Sequence, residues 1–458
     1  MTVILPQAWT TDGGGVWVML GASDATMSSR RALALAFLWL LAAVAAGDVA
    51  AGARRVVDGS QAPERRPGDN VSPGPFAGLR ELPLPAADGS MAPQLSPAAD
   101  GTVIASWLEP SGPHTRLRMA RLGPTGWSDP LTVAEGPDFF VNWADVPSVV
   151  ALGGDRLAAH WLHRSAASPY AYDVRVSLSA DRGRTWSAPV KPHRDATLSE
   201  HGFVSLYDAP GDALGLAWLD GRQTAGGGHD GHGAGGGAMT LRATTIGMDG
   251  RLGQEVLLDG RVCDCCPTAA ARTPSGVVVA YRDRARDEVR DIGMVRLEGN
   301  RWSAPVVAHA DGWLMPACPV NGPSLAARGQ QLALAWFTAE GNEPRVLLAF
   351  STDGGATFGR PVRVDDGVAI GRVDVELLPD GSALVGWIEF ALGASEFRVR
   401  RVAAGGARGA SVRVAGLAAD RASGYPRLAR SGRVLVFAWT EVRDHVKHVR
   451  AATAHVPD

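Results

Sequence analysis

All four cysteines of the chain fall in two short segments, Cys263-Asp264-Cys265-Cys266-Pro267 and Ala317-Cys318-Pro319. In an exported chain such thiols pair as two disulfides; four cysteines allow three pairings, and a bond between the adjacent Cys265 and Cys266 would be strained. Kept reduced, they are soft ligands. A Gly-rich stretch from Gly226 to Met239 adds His229, His232 and Met239, and His201 lies upstream of it. Thiolates, imidazoles and a thioether together suit copper(I) or zinc(II), with glycines letting the loop fold over an ion. The same stretch also reads as a mobile lid or surface insertion, and the thiols as unliganded. Joining Cys318 to the 263–266 cluster would close a loop worth about 4 kcal/mol in the chain-entropy account, so disulfides are the expectation.

Whether these segments meet depends on the elements that carry them. A unit that opens on a small or Pro-containing strand, turns on Gly or Asp and climbs through alternating apolar residues to an aromatic recurs along the chain. Its aromatics are Trp107, Trp161, Trp218, Tyr281, Trp336, Trp387 and Trp439, spaced 51 to 63 residues apart. A third strand follows each aromatic, and usually a fourth that begins aromatic-x-x-Pro, as at Trp127, Trp186, Trp302 and Phe358. Units of this length with four alternating strands are propeller blades. The reading is all-β: a propeller of seven four-stranded blades, or six if two units merge. The seventh unit lacks a fourth strand, and the segment from Leu79 supplies one, closing the ring and covering an edge.

Between third and fourth strands, two units carry Ser179-Ala-Asp181-Arg-Gly183-Arg-Thr185-Trp186 and Ser351-Thr-Asp353-Gly-Gly355-Ala-Thr357-Phe358. These resemble the Asp-box, or BNR repeat, of the sialidase superfamily, with Phe358 in place of the usual Trp. The aspartates can accept backbone N–H groups inside the turn, the glycines permit positive φ, and the terminal aromatic buries itself between strands. The resemblance covers residues 79–458 and implies a propeller that acts on or binds glycans in a central funnel. Sialidases proper have six blades, and their Phe/Tyr-Arg-Ile-Pro segment is replaced here by Leu79-Arg80-Glu81-Leu82-Pro83. For exo-sialidase chemistry the resemblance implies three arginines, a Tyr nucleophile relayed by Glu, and an Asp acid/base. Loops leading into first strands and out of second strands share one face. From that face, Tyr425, Glu389, Asp145, Arg222, Arg282 and Arg372 are the candidates for these roles. A non-catalytic protein-binding propeller and a metal-binding one remain open beside this.

The chain of 458 residues is 46% hydrophobic and 20% charged, enough for a large core. A net charge of −2 offers no general pull on nucleic acid or anionic membranes. The partner expected is a glycan or small anionic ligand, and the protein is expected to be a monomer. Arg30-Arg31 followed by the apolar run Ala32 to Ala46 reads as a signal peptide over 27–46, too short to span a bilayer. Residues 1–26 then read as a misassigned upstream start and 47–78 as a linker, with the mature protein periplasmic or extracellular and without a stable membrane span.

Overall fold

The computed structural model describes residues 74–224, 237–418 and 420–457. The signal peptide, the upstream start and most of the linker, with His229 and His232, lie outside them. Strands dominate, and the described helical turns are two short 3-10 pieces, Glu340–Asn342 and Arg421–Ser423.

The strands form seven antiparallel sheets, one per repeat unit. Their innermost strands are Met91–Pro97, Ser148–Ala151, His201–Ala209, Ala269–Thr273, Ser324–Arg328, Val368–Leu377 and Arg427–Ser431. The first and last of these touch, which closes the ring. The fourth strand of blade two shrinks to a single bridge between Val176 and Val190. Blade seven receives its fourth strand from the start of the fold: Ala77–Glu81 pairs with Val446–His455 in the register Ala77 to His455, Arg80 to Thr453 and Glu81 to Ala452. This strand begins inside the segment expected to be linker, because Phe76 already packs on Phe437 with ring centroids 5.2 Å apart.

The repeat aromatics are wedges between blades. Trp387 is buried with Ala333, Ala335, Val346 and Leu348 of blade five, and Trp336 with Val278, Ala280 and Met294 of blade four. Each Trp wedge brings a buried indole N–H that needs an acceptor. Trp107 donates to Glu109 at 2.9 Å, Trp218 to Asp220 at 2.9 Å and Trp387 to Glu389 at 2.6 Å. In blades one, three and six the acidic residue two places after the wedge is thus a clip for the core, whereas Trp336 donates to Asp311 at 2.7 Å.

At the far face, the turns after Ser179 and Ser351 are built alike. Ser179 Oγ donates to Asp181 at 2.8 Å and accepts from Gly183 N at 2.9 Å, while Thr185 N and Oγ1 donate to Asp181 at 2.9 and 2.6 Å. Ser351, Asp353, Gly355 and Thr357 repeat the pattern. The threonine bonds hold both aspartates down to about 2. Gly183 has φ +89°, and a Cβ there would lie 2.8 Å from Met119 Sδ.

Candidate functional site

The opposite face, where first strands begin and second strands end, is the mouth of the ring. Its backbone is unusual. Ala92, Phe203 and Arg372 take φ of 57°, 51° and 54° within the innermost strands of blades one, three and six, and Val320 takes 48° just before that of blade five. The first three sit at register shifts, so the strands bulge as they reach the mouth. A positive φ at the β-branched Val320 is strain that only strong surrounding contacts maintain.

Those contacts converge on residues 318–322. Asn321 donates its N–H to Cys266 Sγ at 3.3 Å and its amide to Pro319 O and Ile370 O, and its Oδ1 accepts from Arg372 N at 2.7 Å. Its carbonyl accepts from Arg282 Nε at 2.7 Å. One residue, through its backbone and its side chain, therefore ties blades four, five and six. Gly322 makes the approach feasible: a Cβ there would sit 2.0 Å from Pro267 O. The loop Cys263–Pro267 is fixed from the other side by Cys263 N donating to Arg282 O at 3.0 Å.

Of the six residues proposed for sialidase chemistry, Arg282, Arg372 and Tyr425 gather around this segment. Each has its functional group engaged by neighbouring groups of the ring. Arg282 is buried and donates to the carbonyls of Asn321, Arg290 and Phe337 at 2.7, 2.6 and 2.6 Å. Arg372 donates to Gly424 O at 3.0 Å and lies 4.6 Å over the Trp143 ring. Tyr425 is buried, stacked with Trp143, and donates to the strained Val320 carbonyl at 2.7 Å; burial pushes its phenol up. The other three lie in separate settings. Glu389 is the clip of Trp387 and also accepts from Asp366 N at 3.1 Å. Arg222 pairs with Asp220 at 2.7 Å, Glu255 at 2.8 Å and Asp195 at 3.2 Å. Asp145 is buried beside Glu200, accepts from Phe203 N at 2.7 Å and Tyr172 Oη at 3.3 Å, and is pushed well up by burial. A Tyr425→Phe variant should lose one hydrogen bond, about 1 kcal/mol in urea unfolding, with the fold intact. Turnover of an aryl sialoside that vanishes in this variant would contradict that reading.

The cysteines do converge. No disulfide joins any of the four, so the expected pairing is not realised: the Cys263 and Cys266 sulfurs are 3.3 Å apart. The Sγ atoms of Cys263, Cys265 and Cys266 lie within 4.8 Å of one another, and Cys318 reaches Cys265. Met239 belongs to the same buried cluster. His201 does not join them: Nδ1 faces the carbonyls of Tyr172 and Ser199, and Nε2 faces Asp195 at 3.2 Å and Asp220 at 3.7 Å.

Two cavities open near the mouth. The central channel holds about 190 Å³, lined by Gln94, Asp145, Ser205, Thr268 and Arg427 among others. A larger one of about 520 Å³ adjoins Pro319 and Asn321, with Trp313 and Phe337 in its floor and Leu314, Glu340 and Asn342 on its rim. Trp313 and Phe337 meet edge to face at 5.6 Å, and Arg282 lies 5.0 Å from the indole. The sequence reading missed this aromatic pair, because Trp313 belongs to no repeat position.

No protein-family model matches the sequence, and comparison with curated proteins gives no match. Solved structures of similar architecture include a protein of unknown function from Dyadobacter fermentans, 13% identical over 83% of this chain and 100% of that one, with TM-score 0.48. The polysaccharide lyase Uly1 is 11% identical over 80% and 90%, TM-score 0.48. A variant of the NanB sialidase from Streptococcus pneumoniae is 10% identical over 83% and 95%, TM-score 0.45. The likeness is one of architecture, and the chemistry must be read from this chain's own residues.

Proposed function

We propose that this propeller is an exported carbohydrate-binding protein that takes a neutral saccharide in the pocket beside Pro319 and Asn321. The observation that carries the reading is the make-up of that pocket: aromatic and aliphatic surface from Trp313, Phe337 and Leu314, with polar groups from Glu340 and Asn342 at the rim. Apolar walls with a few placed polar groups suit a sugar, whose C–H faces pack on apolar surface while its hydroxyls bond at the edge. No arginine or lysine lines it, and its one carboxylate, Glu340, is paired with Arg345 at 2.9 Å. A sialic acid or uronate would bring a carboxylate with no cation to meet it, so of the glycan or small anionic ligand expected from the sequence, a neutral glycan suits this pocket. Export rests on the Arg30-Arg31 lead and the apolar run that follows.

Calorimetric titration with neutral and sialylated oligosaccharides tests this. Neutral chains should bind, and a Leu314→Ala, Glu340→Ala double variant should bind about tenfold more weakly, a loss of roughly 1.4 kcal/mol. Leu314 is 64% exposed, so its removal leaves the core alone. Tighter binding of sialylated chains, or equal affinity in the variant, would refute the assignment.

A further inference from the structure

We propose that Cys263, Cys265, Cys266 and Cys318 form a site for one thiophilic d10 cation, zinc(II) or copper(I), held by sulfur at the mouth of the ring. Three sulfurs already lie within 4.8 Å of one another, and the thiol of the fourth cysteine, Cys318, lies beside that of Cys265. An ion about 2.3 Å from each sulfur would set the sulfurs about 3.8 Å apart, within the spacing present. Cys263, Cys265 and Cys266 are buried, and the flanking Pro267 and Pro319 with the Asn321 N–H on Cys266 fix their backbones. Harder donors are turned away: the Asp264 carboxylate takes Arg284 at 3.0 Å, and His201 serves Asp195 and Asp220. Sulfur without hard donors selects a soft ion.

The independent observation is Arg290. It is completely buried, its Nη2 donates to Glu288 at 2.7 Å, and its Nε and Nη1 have no hydrogen-bond partner. Two unsatisfied N–H groups on a buried guanidinium are expensive unless an anion lies in front of them. Its charged neighbours are Glu288, Asp264 and the Cys263 sulfur, and Arg282 neighbours the Cys266 sulfur. Neutral thiols are weak acceptors; metal-bound thiolates are strong ones. Zinc with four thiolates, or copper(I) with the three buried ones, would carry a net −2 beside the guanidinium groups of Arg282 and Arg290. Each thiol that binds releases its proton to solvent, and no electron moves.

The test uses the full chain, reduced under anaerobic conditions and titrated separately with zinc(II) and with copper(I), each as the metal alone. One equivalent should bind, protecting four thiols from alkylation with zinc and three with copper. Cobalt(II) in place of zinc should give an intense thiolate-to-metal charge-transfer band. Cys263→Ser should abolish uptake of both ions. Cys318→Ser, at the half-buried position, should weaken zinc at least tenfold and leave copper(I) in place. If Cys263→Ser does not fold, the cobalt spectrum of the wild type and the Cys318 variant decide. No uptake by the folded, reduced protein, or uptake undiminished in Cys263→Ser, would overturn the proposal. So would disulfides that resist reduction until the chain unfolds. Failure here leaves saccharide binding untouched, since that titration contains no metal.

Discussion

A chain that begins at Leu82 should be several kilocalories per mole less stable than one that begins at residue 74, and should associate through its open edge. The loss is that of the closing strand. Phe76, packed on Phe437, contributes about 2 kcal/mol by burial. The ladder to Val446–His455, through Ala77, Arg80 and Glu81, adds about 1 kcal/mol for each bond. A total near 5 kcal/mol is a large part of the roughly 5–15 kcal/mol that holds a domain folded. It also leaves the Val446–His455 strand unpaired on one side, a template for another chain. Urea unfolding and size-exclusion chromatography of the two chains measure both effects. Equal midpoints would mean that the ring does not depend on its velcro strand.

The second large effect is expected at the wedge of blade six. Trp387→Ala empties the space between blades five and six and takes the indole from Glu389, whose carboxylate keeps Asp366 N as a donor. Large-to-small changes at such sites cost about 3–5 kcal/mol. Trp387→Phe separates the two causes. It keeps much of the packing and loses the N–H, so it should cost about 1–3 kcal/mol, the penalty of an under-satisfied buried acceptor. A loss below about 1 kcal/mol for Trp387→Ala would deny the wedge its role.

The architecture was legible because the period, the alternating strands and the orphan strand from Leu79 report backbone pairing, which repeats from blade to blade. The mouth was not, because its groups are assigned by partners that no period marks. Glu389 looked like a relay carboxylate, yet it sits two residues after a buried Trp, as Glu109 and Asp220 do. That Trp-x-acid spacing was a signal available in the sequence. Arg282 gave none: its three carbonyl partners come from residues 290, 321 and 337, brought together only by the ring. Arg290 likewise stands in a charged run, Asp287 to Asp291, that reads as surface but is buried at the arginine. The two cysteine segments come together at the mouth. Their pairing into disulfides was not realised, since chain entropy says nothing about where the sulfurs come to rest.

The central claim is that ligand enters the pocket beside residues 312–321, rather than an arginine-lined funnel. Amide hydrogen exchange of the full chain, with and without a saturating neutral oligosaccharide, tests it most directly. The account predicts protection in peptides covering 311–322 and 337–343, with the channel-lining segments around Asp145, Arg372 and Tyr425 unchanged. Protection confined to those channel segments, or appearing only with a sialylated ligand, would contradict it.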